Sequence, residues 1–248
     1  MKVHKLTYAL LILVFATLGL AFGKHQQTPR DPAKENEYWK QVQARNLRFP
    51  TTDYEEPELA DPKKNQARKE KKLRKNDFKL VARNPPFWQA ERIVINEGGI
   101  DFPALPVAQS TFIVLGRVTA AEAHVSENKK NVYSEFTVLV EKVFKAPSNS
   151  IVDGAEITVD RVGGFVRYPN GHTVLYRIFR ENMPLTGERY VFFLTSKNRD
   201  ILILTAFELG AKGVTPLDES EQFEQYRGLT ETALLDNLRE ALDKSSPR

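Results

Sequence analysis

The stretch VYSEFTVLVEKVFK, residues 132–145, constrains this chain more than any other. Val132, Phe136, Val138, Val140 and Phe144 share one parity, and Glu135, Thr137, Glu141 and Lys145 the other. That period of two predicts a half-buried strand. Its fourteen residues exceed the usual strand length, so a bend or bulge is expected along it.

Similar signals follow nearby. TFIVLGRVTAA (111–121) is apolar and β-branched, and the polar HVSENKKN between the two reads as a hairpin loop. AEITVDRV (155–162) alternates, with Ile157 and Val159 opposite Thr158 and Asp160. RYVFFLTS (189–196) is apolar on both faces and reads as a central strand. DILILTAFEL (200–209) follows after KNR, a connection suited to a tight hairpin. Short strands at this spacing predict a β-barrel or sandwich. GLTETALLDNLREALDK then predicts a helix over 230–244, with Thr230 as N-cap and Leu229 and Leu234 as a hydrophobic staple. Its apolar stripe is Leu234, Leu235, Leu238, Ala241 and Leu242, and ESEQFEQYRG before it adds a helical turn or two.

DRVGGFVRYPNGH (160–172) places glycines after a strand, as a phosphate loop would. A phosphate loop must lead into a helix, whose N–H groups face the anion. Here FVRY and HTVLYRI follow, rich in β-branched and aromatic residues, and no phosphate-loop motif is present. Asn170-Gly171 is a two-residue hairpin signal, and Gly163-Gly164 marks a bulge or tight corner.

The N-terminal third differs. Lys2 and Lys5 precede an apolar run from Leu6 to Phe22, and Ala21-Phe22-Gly23 fits a small-residue cleavage site. This is the layout of a secretory signal peptide over 1–23, or of an uncleaved anchor contacting a membrane through residues 6–22. Either reading places the rest outside the cytoplasm: secreted or periplasmic after cleavage, or anchored. Residues 24–86 carry seven prolines and few apolar residues, the composition of a largely disordered tether. Within it EYWKQVQARNLRF has helical spacing and is a candidate docking segment. The chain's +4 net charge arises here, because residues 93–248 carry 17 basic against 21 acidic side chains. A basic pI is therefore weak evidence for nucleic acid. Lys63, Lys64, Arg68, Lys69, Lys71, Lys72, Arg74 and Lys75 form a run that reads as contact with an anionic surface or as a solvated, partly helical spacer. No stacking aromatic lies inside the run, only Phe78 at its edge, which disfavours nucleic acid.

In the body, residues 87–248, the succession VLGRV, VYSEFTVLVEKVFK, ITVDRVGG and PLTGERYVFFL resembles a pattern in exported bacterial proteins. The architecture it implies is similar to the OB-like barrel of netrin-like modules, the fold also used by tissue inhibitors of metalloproteinases. The resemblance covers about residues 110–210, and its motifs are structural. It implies a mainly β fold: a small OB-like, netrin-like antiparallel barrel with a C-terminal helix, preceded by the signal or anchor helix and the tether. Protease inhibition does not transfer, because it depends on an N-terminal cysteine and this chain has no cysteine.

The absence of cysteine also excludes disulfides, thiol nucleophiles and Cys-ligated zinc. His124 and His172 fall in expected loops without metal-binding spacing, and no G-x-S-x-G elbow occurs. His172 beside Arg167 and Arg177 could face an anion or be a plain surface histidine. Glu55-Glu56 falls in the tether, where no rigid pocket is expected, and Glu135 and Glu141 read as solubility. No catalytic, cofactor or metal residues are assigned. Phe87, Trp88, Tyr133, Arg167, Tyr168, His172 and Tyr176 form the candidate binding surface; Phe87 and Trp88 read equally well as closing the barrel floor. The expected function is an exported envelope module, binding or structural and without catalysis, whose partner is a protein or envelope polymer. The alternatives are an exported enzyme with an unrecognised site and an OB-type nucleic-acid-binding protein.

Overall fold

The computed structural model describes residues 48–77, 101–148 and 150–245, with the backbone of 92–95. The leader, residues 37–47 of EYWKQVQARNLRF, Phe87 and Trp88 lie outside the described residues.

The expected strands form, and five of them close a ring. β3 (Phe112–Val125), β4 (Val132–Lys145) and β5 (Glu156–Val162) pair antiparallel in succession. β8 (Arg189–Lys197) pairs with both β3 and β9 (Asp200–Gly210). β5 meets β9 parallel, through one pairing of Asp160 with Leu202, so the ring is not wholly antiparallel. β10 (Gly213–Pro216) extends β9 as an edge. The bend expected in the long strand appears as register shifts between β3 and β4, one at Leu115/Gly116. A Cβ at Gly116 would lie 2.5 Å from Val138 Cγ1 and 2.8 Å from the Leu139 carbonyl oxygen, so only glycine admits this approach.

Side-chain parity builds two cores. Val114, Val118, Phe136, Val138, Val140, Val159, Phe192 and Leu194 belong to one buried cluster. Ile113, Leu115, Val191, Phe193 and Phe207 belong to a second, covered by Phe223 of α2 (Glu221–Glu224) and by Leu234 and Leu238 of α3 (Glu231–Ser245). β8 contributes to both, which explains an apolar run without alternation. The Thr230 hydroxyl accepts from the Ala233 amide at 3.2 Å, the expected cap.

At Gly163 (φ 107°) and Gly164 the chain leaves the ring for a smaller sheet ordered β1 (Thr51–Asp53), β6 (Gly164–Arg167), β7 (Thr173–Ile178), β2 (Arg92–Ile95). The hairpin between β6 and β7 closes at the expected turn: the Gly171 amide donates to the Tyr168 carbonyl at 2.9 Å.

The tether expectation fails for residues 48–77. Thr51–Asp53 pairs parallel with Phe165–Arg167, and the Phe49 ring lies 5.9 Å from that of Phe165. Pro62–Arg74 forms helix α1, continued by a 3-10 turn over Lys75–Asp77. With so few apolar residues α1 has no hydrophobic stripe, and none of its residues is buried. It is held in another way.

Candidate functional site

Arg68, Lys71, Lys72 and Lys75 stand at i, i+3, i+4 and i+7, so a helix puts them on one side. Asp61 starts that helix by accepting from the amides of Lys63 and Lys64 at 2.9 and 3.4 Å. Pro62 occupies the first turn, where its missing N–H costs nothing.

The cationic side meets carboxylates on the ring. Lys75 Nζ lies 2.7 Å from Asp160 on β5 and 2.8 Å from Asp200 at the start of β9. Lys71 Nζ lies 2.9 Å from Asp160 and 3.1 Å from Glu135 on β4, and Arg74 lies 3.0 Å from Asp200. Lys72 reaches Glu56 at 2.9 Å, and Arg68 lies 3.6 Å from it. Asn131 Nδ2 donates to the Lys75 carbonyl at 2.9 Å, and the Asn128 amide to Asn76 Oδ1 at 2.9 Å. The hairpin between β3 and β4 thus grips the end of α1. Lys75 is 1% exposed and Asp160 2%, so these are buried pairs, costly to break from one side.

His124 closes the other end of this seam. Its Nδ1 lies 3.4 Å from Glu56, and its Nε2 3.8 Å from both Glu122 and Glu135. It sits buried in β3, not in the expected loop. Burial would raise the Glu56 carboxyl, but hydrogen bonds from His124 and Lys72, the His124 ring and the Val125 amide together bring it from its ordinary 4.5 to about 2. Burial pushes Lys71 down, and the charges of Asp160 and Glu135 outweigh it and raise the ammonium above its usual range. Asp200 is lowered: its burial is overcome by Lys75 and Arg74.

Beneath Lys75 lies a cavity of about 80 Å³ beside the parallel β5–β9 joint. Arg161, 3% exposed, forms one wall and pairs with Asp218, with Glu181 at 3.5 Å. Its Nε and Nη1 have no hydrogen-bond partner, and neither does the hydroxyl of Tyr133, also on the wall. Burial, then the charges of Glu135 and Asp160, push the Tyr133 hydroxyl far up, so it stays protonated.

The candidate binding surface does not assemble as one exposed face. Tyr133 is 2% exposed and borders the seam, its outward side roofed by Lys75, whose Nζ stands 5.4 Å over the ring. Tyr168 and Tyr176 are buried in the small sheet with their hydroxyls in contact, and Tyr54 stacks on Tyr168 at 5.0 Å. Arg167 and His172 are exposed near the β6–β7 turn; Arg167 meets Asp53 at 3.3 Å. Of the basic run, Lys63, Lys64 and Lys69 face solvent, whereas Arg68, Lys71, Lys72, Arg74 and Lys75 turn onto the protein and are not a free anionic-surface contact. Glu56 and Glu135 are corrected too: both belong to the seam. Glu141, on the same strand, pairs with Arg189 at 2.9 Å. Sequence reading missed Asp160, Arg161 and Asp200 and placed His124 in a loop; the helical spacing of the four cations was the signal that α1 wanted an acidic surface.

Among the described residues, no group of three or more His, Cys, Asp or Glu is arranged to hold a metal ion, and no helix is long and apolar enough to cross a membrane. No known protein family and no curated protein matches the sequence.

Proposed function

We propose that this chain is an exported, non-catalytic binding or structural module of the cell envelope, built on an OB-like, netrin-like barrel. The ring order β3–β4–β5–β9–β8, with its parallel β5–β9 joint, supports the barrel reading. In OB barrels the second and third strands and the two neighbouring hairpins form the ligand face. The counterparts here are β4, β5, the hairpin at 126–131 and the turn before Asp200.

The observation that carries the reading is that α1 and the 3-10 turn after it lie on this face through Lys71–Glu135, Lys71–Asp160, Lys75–Asp160 and Lys75–Asp200. The acidic face receives a basic helix, and its titratable groups neutralise one another instead of converging on an open cleft. This is an arrangement for holding. The leader layout in residues 1–23 supports export.

The test is fractionation of cells expressing the full chain, followed by sedimentation of the purified protein with isolated envelope polymer. Recovery outside the cytoplasm and saturable co-sedimentation without polymer breakdown are expected. Cytoplasmic recovery refutes the export part, and release of soluble fragments from the polymer refutes the non-catalytic part.

A further inference from the structure

The tip of the β6–β7 hairpin places an electrophile beside an unshielded nucleophile. Asn170 Oδ1 accepts from the His172 amide at 3.1 Å. This bond turns the side-chain carbonyl back along the main chain and draws electrons from its carbon, Cγ. The backbone nitrogen that follows belongs to Gly171. Asn170, Gly171 and His172 are all exposed, and a Cβ built on Gly171 would meet nothing within 4 Å. The nitrogen therefore has no side chain beside it and open space near it. Of the asparagines in the chain, Asn170 alone precedes a glycine.

Two other turns give the contrast. Asn128 Oδ1 accepts from the Lys130 amide at 3.1 Å, the same two-residue step, and also from the Ser126 hydroxyl at 2.8 Å. Lys129 follows it, and its ammonium is held 2.6 Å from the Tyr54 carbonyl. A substituted and tethered residue shields the nitrogen there. Asp153 precedes Gly154, but it offers a carboxylate in place of an amide, and the Val143 amide donates to its Oδ1 at 2.7 Å. A carboxylate resists attack because it already bears the negative charge.

We propose that Asn170 is a site of self-modification, losing its side-chain amide to the neighbouring main chain. The Gly171 nitrogen gives its proton to hydroxide and bonds to Asn170 Cγ. The Cγ–Nδ2 bond breaks, ammonia leaves with a proton from water, and a succinimide ring remains. One water then opens the ring at either carbonyl. The product is aspartate or, with the main chain rerouted through the side chain, isoaspartate. In sum, asparagine and water become an acid and ammonia, with no oxidation or reduction. The Gly171 amide first gives up the Tyr168 carbonyl, now at 2.9 Å, so opening of the turn sets the pace. The Tyr168 amide still donates to the His172 carbonyl at 2.8 Å, and Tyr168 and Tyr176 are buried behind the tip, so the hairpin outlasts the change. The turn gains one negative charge. The inference does not rest on the proposed function.

The experiment incubates the full chain at neutral and at mildly alkaline pH and maps its tryptic peptides by mass spectrometry. Asn170 should gain the mass difference between amide and acid at least roughly tenfold faster than Asn128, because only there is the nitrogen unshielded. The gain should quicken as pH rises, and isoaspartyl methyltransferase should label the product. Gly171→Ala should slow the gain roughly tenfold or more. Since that variant also strains a turn with φ 85°, Lys129→Gly tests the same rule in the other direction. Lys129 has φ 59°, which glycine accepts, and Asn128 should become a second site. A far-UV spectrum like that of wild type shows that each variant is folded. An Asn170 that keeps its amide in the folded chain, equal rates at Asn170 and Asn128, or an Asn128 left intact in folded Lys129→Gly overturns the proposal.

Discussion

Replacing Lys75 by Met is the sharpest perturbation of the seam. Met fills the volume of the lysine stem and removes only the ammonium. In the wild type that ammonium lies 2.7 Å from Asp160 and 2.8 Å from Asp200. Breaking a buried pair from one side typically costs about 3–5 kcal/mol, because a charge is left without compensation. Here each abandoned carboxylate keeps a second partner: Lys71 at 2.9 Å for Asp160 and Arg74 at 3.0 Å for Asp200. The expected loss is therefore at the lower edge of that range, about 3 kcal/mol. Asp160→Asn should cost less, about 1–2 kcal/mol. The asparagine amide oxygen still accepts a hydrogen bond, and Lys75 and Lys71 retain Asp200 and Glu135. Urea unfolding followed by far-UV circular dichroism measures both. For a chain of this size the Lys75→Met loss corresponds to a fall in Tm of roughly 6–12 °C. Because the pair is buried, 1 M salt should change the difference little. A Lys75→Met protein within about 0.5 kcal/mol of wild type, below the usual cost of any buried-pair loss, refutes the reasoning. So does a larger loss from Asp160→Asn than from Lys75→Met.

Three further outcomes are expected. The Glu56 carboxyl is depressed from 4.5 to about 2, so its contribution is present above pH 4.5 and lost as pH falls toward 2; Glu56→Gln should flatten acid unfolding across that window. At neutral pH the same substitution should cost roughly 1–2 kcal/mol after allowance for solvent screening, measured by urea titration at both pH values. Gly116→Ala places a methyl 2.8 Å from the Leu139 backbone oxygen and should destabilise by about 1–3 kcal/mol in thermal unfolding. Thr230→Ala removes the cap of α3 and should cost about 1 kcal/mol; an unchanged Tm would show that the cap is idle.

Local patterns of apolar residues translated well. β4 runs over the stretch that its alternation marked, Asn170-Gly171 turns a hairpin, and Leu234 and Leu238 bury one side of α3. What escaped depends on partners distant in sequence. Lys75 and Asp160 are 85 residues apart, and nothing local to either announces the other. Tyr133 shares parity with Glu135 and so belongs to the polar side of β4; it is buried where Lys75 comes to rest over its ring and His124 packs beside it. The low apolar content of residues 48–77 suggested an unfolded tether, since such segments bury too little oily surface to offset chain entropy. That rule considers apolar burial alone, and α1 is fixed by ion pairs. The parallel joints β1–β6, β2–β7 and β5–β9 are likewise non-local and leave no alternating signature.

A helix attached in this manner has a thermal consequence. Heat capacity on unfolding rises with exposed hydrocarbon and falls with exposed polar surface. Lifting α1 would uncover ammonium, guanidinium and carboxylate groups, while Leu73, its one leucine, is already 48% exposed. Its departure should therefore leave almost no mark in a calorimetric baseline. Amide exchange along 62–77 would register it.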